Sequence, residues 1–320
     1  MILVTGGTGF IGSHLLAKLA SAGRPVRCLL RRKAAASSLP AGVEPAFGDL
    51  ASGQGVAEAV RGAGTIFHLA GVTKALHPAD YYVGNVRATH TLLRALEGRP
   101  VRLLHVSSLA AIGPSPDGRP VEEDTEPHPL TRYGKSKLEG ERIVRSLAPE
   151  AVIVRPPVVY GPRDTDVLQI LKAVSRGLVV QISGGERWFS AIYVEDLVEG
   201  LVAAAERGSP GSAYFLAHFK PASWSELGEE AARIMSRRPR VVHVPIPAAY
   251  AVGYGGELWS YLTRKPGIIS REKVAEALCP YWTCDAHRAA ADFGFEARTP
   301  LATGLARTLA WYREAGWLNY

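Results

Sequence analysis

The sequence predicts an α/β fold built on a doubly wound parallel sheet, with a smaller C-terminal part. Short β-type runs alternate with longer helical segments in the first half of the chain, and this alternation is typical of repeated βαβ units. A glycine-rich segment follows the first predicted strand directly. With 320 residues, of which 47% are hydrophobic, the chain is long enough to bury a large core.

The predicted strands before Pro156 lie at residues 2–4, 26–30, 43–47, 65–69, 103–106 and 152–154. The intervening segments carry apolar side chains at three- and four-residue spacing, which indicates amphipathic helices on both faces of the sheet. These helices are predicted at residues 12–22, 53–61, 82–96 and 133–147. Ligands bind to such sheets at the carboxyl ends of the strands, so we expect the functional residues at that edge.

The alternation ends at Pro156, where proline and glycine become frequent. Beyond it we predict helices at residues 167–176, 194–206, 223–236, 271–277 and 301–315, and separate strands such as residues 212–216. The sequence has no internal repeat and no low-complexity linker. We therefore expect the C-terminal part to fold across the ligand-binding edge of the sheet.

Composition limits the classes of function. The formal net charge of +7 suits an anionic ligand, but the basic residues are scattered without a recognition motif, so no nucleic-acid partner is predicted. Cys28, Cys279 and Cys284 are the three cysteines and have no CxxC spacing, which predicts free thiols and no metal site. The N-terminus has no signal-peptide pattern, and we expect a cytoplasmic protein.

The most apolar late stretch is residues 241–262. It contains Pro245, Pro247, Gly253, Gly255 and Gly256, which argue against a continuous membrane-spanning helix. No integral membrane segment is predicted, and peripheral contact with a membrane stays open.

Residues 5–12, TGGTGFIG, form a candidate phosphate loop. Glycines spaced as GxxGxxG allow a tight turn, close approach of a pyrophosphate and close packing of a helix on a strand. The helix that follows adds free amide donors and a favourable dipole. Its position between strand and helix predicts a dinucleotide site rather than an ordinary flexible loop. The candidate contacts are Gly6, Thr8, Gly9, Phe10, Ile11 and Gly12.

Two further strand ends carry candidate cofactor contacts. The carboxylate of Asp49 can accept a hydrogen bond from an adenine amino group, although a single aspartate there also serves as a turn or helix cap. Small residues after the fourth strand let the backbone pack against a diphosphate and ribose, whereas His68 is expected to be structural. The candidate contacts are Asp49, Leu50, Leu69, Ala70 and Gly71.

Tyr133 and Lys137 form a candidate acid–base pair. They are four residues apart in a predicted helix, so one helical face presents both. A phenol with an ordinary pKa of about 10 is a poor acid–base group at neutral pH, but an adjacent ammonium stabilises its phenolate. Ser107 and Ser108 end the preceding strand at the same sheet edge, and Ser108 is the preferred hydrogen-bond donor to a substrate oxygen. Without that serine, the same spacing would indicate an ordinary solvated helix face.

With these motifs, the chain resembles the extended short-chain dehydrogenases/reductases of the NAD-dependent epimerase/dehydratase superfamily. Its pattern is closest to the 3β-hydroxysteroid dehydrogenase and dihydroflavonol reductase branches. The motifs that carry the resemblance are TGGTGFIG at 5–12, GDL at 48–50, HLAG at 68–71, Asn85, VSSLAAIG at 106–113, YGKSK at 133–137, RPPVVYGP at 155–162 and YVEDL at 193–197.

The resemblance implies roles for individual residues. Ser108, Tyr133 and Lys137 match the catalytic triad of the family, and Lys137 would also reach the nicotinamide ribose. Asn85 matches a helix asparagine linked to proton relay, which is a weaker transfer. Further candidate cofactor contacts are Tyr133, Ser107, Pro156 and Val158, the last two in the loop next to the nicotinamide.

The resemblance also implies an organisation of the chain. Residues 1–165 would form an NADP-binding Rossmann domain that carries the catalytic residues. Residues 166–320 would be mainly substrate-binding, with segments around 190–217 returning to the first domain. A homodimer would form through the helices at residues 82–96 and 133–147.

Residues around the triad discriminate between reactions. Sugar-nucleotide dehydratases of this family carry an acidic pair after the serine or threonine, whereas LAA at 109–111 follows Ser108, so dehydration is not expected. Epimerases often carry an arginine for the nucleotide diphosphate shortly before the YVxD segment. This chain has Phe189 at that position, and Arg187 is close enough to keep a diphosphate-binding role open. A nucleotide-sugar epimerase or 4-ketoreductase stays an alternative. So does a non-catalytic NADP-binding sensor or assembly subunit.

Arg31 and Arg32 indicate the cofactor. An acidic residue about 20 residues past the glycines would bind the adenosine ribose hydroxyls, whereas an arginine accommodates a 2′-phosphate. The nearest following acid is Glu44, so NADP(H) is predicted over NAD(H), with a merely solvated basic loop as the alternative.

The predicted activity is an NADP(H)-dependent oxidoreductase that interconverts a ketone and a secondary alcohol on a mainly apolar or polycyclic small molecule. The C-terminal half matches the known branches only loosely. Its aromatic residues are candidates to line an apolar substrate pocket, although aromatics are more often core residues. They are Trp224, Tyr250, Tyr254, Trp259, Tyr261, Tyr281 and Trp282.

Overall fold

The computed structural model describes residues 1–96, 98–267 and 269–320. Its strands, in chain order, are β1 (Ile2–Thr5), β2 (Val26–Leu30), β3 (Val43–Phe47), β4 (Thr65–His68), β5 (Arg102–Val106), β6 (Val152–Arg155), β7 (Val158–Tyr160), β8 (Leu178–Ile182), β9 (Trp188–Phe189), β10 (Ala191–Tyr193), β11 (Ala213–Phe215), β12 (Ala222–Ser223), β13 (Arg240–Val244) and β14 (Tyr281–Trp282). The six strands predicted before Pro156 are confirmed, with ends within one residue.

The α-helices, in chain order, are α1 (Phe10–Ser21), α2 (Val56–Val60), α3 (Pro78–Tyr82), α4 (Ala88–Leu96), α5 (Arg132–Leu147), α6 (Val167–Ser175), α7 (Val194–Arg207), α8 (Trp224–Ile234), α9 (Ile246–Thr263), α10 (Arg271–Leu278), α11 (His287–Phe293) and α12 (Leu301–Glu314). The helix predicted at residues 82–96 begins earlier, at Pro78, because proline at a first helical position costs no backbone hydrogen bond. A π-helical turn at Val83–Arg87 then joins α3 to α4.

The central sheet has seven parallel strands in the order β11-β6-β5-β4-β1-β2-β3. β1 pairs with β2 on one side and with β4 on the other. The order in which successive strands are added to the sheet therefore reverses beside the glycine-rich loop. Ligand sites form at such switch points. The predicted separate strand at residues 212–216 is in fact the sheet edge, because β11 pairs with β6.

Both faces of the sheet are buried, as expected for parallel strands covered by helices. Leu16 of α1 and Leu201 of α7 pack on one face against β1 and its neighbours. Leu92 of α4 and Val144 of α5 pack on the other face. These two layers hold the strand ends, and therefore the candidate site residues, in a fixed register.

The C-terminal part has its own apolar cluster beside the carboxyl edge of the sheet. Leu171 of α6, Ala231 of α8 and Leu309 of α12 are fully buried in it. Small sheets surround the cluster: β7 pairs with β10, β8 with β13, and β9 with both β12 and β14. The sequence did not predict most of these two- to five-residue strands, because they are too short to show a period.

The glycine- and proline-containing stretch at residues 241–262 forms most of β13 and α9. The prolines do not break the helix, because Pro247 lies in its first turn, where no backbone N–H is needed. Its glycines allow close packing on α10. Within the described residues, no helix has both the length and the apolar character that crossing a membrane requires.

Candidate active site

The loop between β1 and α1 is shaped to keep a space open at the sheet edge. Gly6 has a φ of 73°, in the left-handed region that favours glycine. A Cβ on Gly6 would lie 2.6 Å from the Ala70 nitrogen, and a Cβ on Gly12 would lie 2.2 Å from the Gly6 oxygen. Larger residues at these positions would therefore distort the turn or push α1 away from the loop.

The N-terminus of α1 borders the same space. Gly9 precedes the helix, and Ser13 is the residue whose N–H first bonds back to it, at 2.9 Å from the Gly9 oxygen. The N–H groups of residues 10–12 lie in the first turn, where a helix offers them no acceptor. With the helix dipole, they form a site suited to an anion such as a pyrophosphate.

A cleft of about 1370 Å³ follows the carboxyl edge of the sheet and extends to the C-terminal part. This exceeds the roughly 300–1,000 Å³ of an ordinary small-molecule pocket, so a dinucleotide and a second molecule have room together. The predicted site residues that line it are Gly6, Thr8, Gly9, Phe10, Ile11, Gly12, Arg31, Arg32, Asp49, Leu50, Leu69, Ala70, Gly71, Ser108, Tyr133 and Val158.

Arg31 and Arg32 lie at one end of the cleft, directly after β2. Both are exposed, and Arg32 precedes a short 3-10 helix at Lys33–Ser38. Glu44, the next acid in the sequence, is paired with Arg27 at 2.9 Å and is not among the residues that line the cleft. This end of the cleft therefore presents guanidinium groups without that carboxylate.

Asp49 forms a turn at the border of the cleft. Its Oδ1 accepts the Ala51 N–H at 3.0 Å, which closes the turn after β3. The residue also lines the cleft, as Arg32 and Leu50 do. A turn-forming bond to one oxygen leaves the second carboxylate oxygen with acceptor capacity.

Tyr133 and Ser108 meet in the middle of the cleft. Ser108 ends the loop after β5 and accepts the Ala110 N–H at 3.2 Å, which starts a 3-10 turn. Tyr133 lies in the first turn of α5. That helix packs tightly on the serine turn, because a Cβ on Gly134 would lie 2.3 Å from the Ala110 oxygen. The two hydroxyls are thus positioned by a direct contact between their supporting elements.

The environment of Tyr133 keeps its phenol protonated. Burial raises its pKa above the ordinary value, and the neighbouring Ser108 hydroxyl lowers it by a smaller amount. A protonated phenol next to a second hydroxyl can donate a proton to a substrate oxygen while the serine donates a hydrogen bond.

Lys137 lies beneath the cleft rather than at its surface. Its buried Nζ donates to the Val106 oxygen at 2.7 Å and would be 3.9 Å from a Cβ on Gly71. Burial lowers the pKa of this ammonium to about 8, and Glu141 opposes that effect. The group therefore remains mostly charged at neutral pH, one helical turn from Tyr133.

Two histidines are buried next to Lys137. His68 contacts the hydroxyl oxygens of Thr5 at 2.7 Å and Thr89 at 3.0 Å through its two ring nitrogens. The His105 ring lies 5.2 Å from the His68 ring. Burial, and then the charge of Lys137, lower the pKa of both imidazoles, that of His68 to about 3. Both rings are thus neutral at physiological pH, and the contacts of His68 agree with a structural role.

Asn85 occupies the π-helical turn and is buried. Its Oδ1 accepts the Val72 N–H at 2.7 Å, and its Nδ2 donates to the Val72 oxygen at 2.9 Å and to the Ser136 hydroxyl at 2.8 Å. These bonds tie the loop after β4 to α5. The side chain therefore positions cleft-lining backbone, and this geometry offers a structural reason for asparagine at this position.

Ser107 and Pro156 do not line the cleft, in contrast to the expectation for cofactor contacts. Ser107 is buried, and its N–H donates to the Val154 oxygen at 2.7 Å. The Pro156 oxygen accepts the Leu109 N–H at 2.9 Å. Both residues hold strand ends together, because the alternation of side chains along extended backbone places their neighbours at the cleft instead.

Aromatic side chains line the C-terminal end of the cleft. Phe189 stacks on Trp224 with ring centroids 4.1 Å apart, and Trp282 lies beside them. Of the seven aromatic residues considered for an apolar pocket, Trp224 and Trp282 line the cleft. The other five do not, and all but the last of them lie on α9: Tyr250, Tyr254, Trp259, Tyr261 and Tyr281.

Arg187 is buried and does not line the cleft. Its Nη1 donates to the Ile182 oxygen at 2.6 Å and the Gly185 oxygen at 2.9 Å, and its Nη2 donates to the Ser183 oxygen at 2.9 Å. The guanidinium therefore holds the loop between β8 and β9. This arrangement removes support for the diphosphate-binding role that the sequence left open.

Two charged pairs at the cleft were not predicted from the sequence. Lys273 of α10 donates to Glu276 at 2.6 Å, and both residues line the cleft and a smaller cavity of about 160 Å³ that also reaches Tyr133. Lys74 pairs with Asp166 at the border of the same two spaces. In sequence, the spacing of Lys273 and Glu276 indicates only an exposed helix pair, so no signal assigned them to the site.

The chain is similar to known proteins over most of its length. The family model described as "NAD dependent epimerase/dehydratase family" matches residues 2–217. The chain is 32% identical over 320 residues to "Ceramide reductase" of Caulobacter vibrioides (strain NA1000 / CB15N), covering 99% of this chain and 96% of that protein. It is 31% identical to "4-hydroxy-2-methyl-3-oxo-4-farnesyl-3,4-dihydroquinoline-1-oxide ketoreductase" of Stigmatella aurantiaca, covering 94% and 93%.

Solved structures share the fold over nearly the whole chain. The structure titled "MoeE5 in complex with UDP-glucose and NAD" has a TM-score of 0.77 and 28% identity, and the match covers 98% of this chain and 99% of that one. The similarity therefore includes the C-terminal part that the family model leaves out.

Proposed function

Because the chain belongs to the NAD dependent epimerase/dehydratase family and is an NAD(P)-dependent oxidoreductase of the extended short-chain dehydrogenase/reductase type, we propose that it interconverts a ketone and a secondary alcohol on a mainly apolar small molecule. NADP(H) is the proposed cofactor. The observation that carries the substrate class is the Phe189–Trp224 stack at the end of the cleft beyond Tyr133.

The residues present fit a dinucleotide. Gly6 and Gly12 pack closely because neither has a side chain, so the space before α1 stays open to a pyrophosphate. The guanidinium groups of Arg31 and Arg32 suit a 2′-phosphate. Leu69 to Gly71 and Val158 line the stretch of cleft that leads to Tyr133. Ser107 and Pro156 would support this wall from behind rather than touch the cofactor with their side chains.

Three side chains account for the chemistry of reduction. A bound reduced nicotinamide supplies the hydride for the carbonyl carbon. Tyr133 donates its proton to the carbonyl oxygen, and Ser108 donates a hydrogen bond to the same oxygen as negative charge develops. The charge of Lys137 lowers the cost of the phenolate that remains. Oxidation of the alcohol uses the same groups in reverse.

The substrate end of the cleft supports an apolar ligand. Phe189, Trp224 and Trp282 offer ring surface, while the nearby Arg187 is bound to backbone carbonyls and does not line the cleft. The names of the two relatives refer to a ceramide and to a farnesylated quinoline, and both kinds of compound carry long apolar chains. We propose an oxo group borne on such a chain or on a polycyclic skeleton as the reacting group.

A nucleotide-sugar epimerase or 4-ketoreductase is the second candidate. The Lys273–Glu276 pair favours it, since this pair places polar groups next to Tyr133 where sugar hydroxyls would need partners. The structure solved with UDP-glucose and NAD has the same fold. The bonds of Arg187 weigh against it, because backbone carbonyls hold its guanidinium away from the cleft, which it does not line.

A chain-length series tests the proposal. Purified protein is assayed for NADPH consumption with oxo compounds of increasing alkyl length, and in parallel for conversion of UDP-sugars. We expect kcat/KM to rise by about fourfold for each of the first several added methylenes, because each one is transferred out of water. Epimerisation of a UDP-sugar without net NADPH turnover would overturn the proposal.

Aromatic variants locate the effect in the cleft. In Trp224→Ala the dependence on chain length should flatten, because the ring surface that receives the chain is lost. Trp317→Ala is the matched control, since this tryptophan is partly exposed and lies outside the cleft. An unchanged slope in Trp224→Ala would contradict an apolar subsite at this position.

We also propose a homodimer through α4 and α5. Together with α2, these helices cover one sheet face, and Ile143 of α5 is only partly buried in the single chain. Sedimentation velocity should give about twice the monomer mass, and Ile143→Glu should reduce it to that of the monomer. A monomer at all concentrations would contradict the dimer.

A further inference from the structure

Helix α9 presents its large apolar side chains to solvent. Leu258, Trp259 and Leu262 are 63%, 69% and 71% exposed. Burying side chains of this size stabilises a protein, so a fold rarely leaves several of them together in water. We call the exposed surface formed by Val252, Tyr254, Leu258, Trp259, Tyr261 and Leu262 the α9 face.

The orientation of α9 is fixed by small residues on its other side. Ala249, Gly253 and Ser260 are its buried residues. A Cβ on Gly253 would lie 3.1 Å from Val274 Cγ2 of α10, and a Cβ on Gly256 would lie 2.5 Å from the Ile269 oxygen. Because the inner side is closed to larger groups, the α9 face lies on the outside of the fold.

The composition of the α9 face matches the boundary between lipid and water. Tyr254, Trp259 and Tyr261 are the residue types enriched at membrane interfaces, where an apolar ring and a polar tip are both accommodated. Leu258 and Leu262 supply purely apolar area between them.

The charges next to the α9 face are complementary to anionic lipid headgroups. Arg264 and Lys265 follow the helix directly and are exposed. The one acid of the helix, Glu257, is occupied by Arg271, whose Nε lies 2.8 Å from its carboxylate. The local surface is therefore basic, in keeping with the net charge of +7.

The α9 face borders the entrance to the site. The Tyr261 ring contacts His77, with centroids 6.1 Å apart, and His77 precedes α3 at the cleft. Gly267 and Ser270, which follow α9, line the smaller cavity that reaches Tyr133. A surface bound through α9 would thus lie beside an opening that leads to the candidate acid–base groups.

We propose that the α9 face docks on an anionic phospholipid bilayer, with Leu258, Trp259 and Leu262 inserted at the interface and Arg264 and Lys265 at the headgroups. The docking itself does not depend on the reaction. Its purpose rests on the proposed function: an apolar substrate held in a bilayer would reach the cleft without crossing water.

Vesicle co-sedimentation tests the docking without substrate or cofactor, so its outcome is independent of whether the reductase assay succeeds. The vesicles contain phosphatidylethanolamine with roughly 30% phosphatidylglycerol, or phosphatidylcholine alone. We expect binding to the anionic vesicles, and at least about tenfold weaker binding for Leu258→Ser/Trp259→Ser/Leu262→Ser. Leu147→Ser, the same kind of change at an exposed leucine outside the α9 face, is the control and should bind as the parent does.

Two further measurements keep the test decisive. Arg264→Glu/Lys265→Glu should remove the preference for anionic vesicles, and brominated lipids should quench fluorescence of the parent but not of Trp259→Phe. No binding by the parent, or equal binding by the triple variant, would overturn the proposal. A parent dimer that the triple variant converts to monomer, with no vesicle binding by either, would instead make the α9 face a contact between copies and would also overturn it.

Discussion

Lys137 and Val106 are joined by a hydrogen bond of 2.7 Å between the lysine Nζ and the backbone oxygen of the last residue of β5. This bond links α5, which carries Tyr133, to the strand end that carries Ser108. The ammonium is buried where it makes this bond, and burial lowers its pKa to about 8. The bond therefore fixes the position of Lys137, while burial sets the pH range in which it is charged.

The pH dependence of reduction follows from this burial. Below pH 8 Lys137 is charged, and above pH 8 it loses its proton, so the phenolate left on Tyr133 loses its positive neighbour. We expect kcat/KM for ketone reduction to be level near neutrality and to fall as pH rises through about 8. The pH–rate profile measures this. Lys137→Arg keeps the charge and should flatten the alkaline limb; an identical limb in that variant would contradict the assignment.

Tyr133→Phe should separate catalysis from binding. Removing the hydroxyl eliminates the proton donor while leaving the ring, so we expect kcat to fall by about 10²–10⁴-fold with NADPH affinity changed by less than about twofold. Single-turnover assays and fluorescence titration measure the two quantities.

Tyr81→Phe is the matched control, because the Tyr81 ring is 6.3 Å from that of Tyr133 and is also half-buried. It should keep most of the activity. Full activity of Tyr133→Phe would remove this residue from the reaction, and no turnover by the parent with any substrate would favour the sensor role.

Cofactor preference should depend on Arg31 and Arg32. Charge-assisted bonds to a 2′-phosphate are worth about 1.5–3 kcal/mol, so Arg31→Ala/Arg32→Ala should raise KM for NADPH by about 10–100-fold and that for NADH by less than about threefold. Steady-state kinetics with both cofactors measure the ratio. Arg237→Ala/Arg238→Ala removes the same charge from an exposed site outside the cleft and should change neither value. Equal losses with the two cofactors would show that the basic run is only a solvated loop.

The parts of the molecule that were predictable from sequence depend on local patterns. The strand and helix periods before Pro156, the GxxGxxG turn and the four-residue spacing of Tyr133 and Lys137 are each set within one or two elements. Their convergence at one sheet edge follows from the parallel topology alone. This is why sixteen of the predicted site residues line one cleft.

The unpredicted parts depend on contacts between distant segments. Arg187 lies two residues from the cleft-lining Phe189, yet backbone carbonyls of the preceding loop capture its guanidinium. Lys273 reaches the cleft only because α10 packs beside it, and the aromatics of α9 point outward only because small residues occupy the inner side of that helix. No spacing in the sequence encodes these choices.

Stability should depend on the buried ion pair between Arg155 and Glu141. Arg155 ends β6, and its Nε and Nη2 lie 3.0 and 2.7 Å from the two carboxylate oxygens of Glu141 on α5, with both side chains at most 4% exposed. Glu141→Gln leaves a guanidinium buried without its counter-charge and should lower the free energy of unfolding by about 3–5 kcal/mol in urea titrations.

The control for this prediction lies on the same helix. Glu139 pairs with Arg142 at 3.1 Å on the solvent-exposed surface, where water screens the charges. Glu139→Gln should therefore lower the free energy of unfolding by less than about 1 kcal/mol. Arg155→Met/Glu141→Leu removes both charges together and should recover most of the loss, because no charge is left buried without a partner. If Glu141→Gln were as mild as Glu139→Gln, the pair would not be holding β6 to α5, and the position of the cleft wall after Arg155 would need another cause.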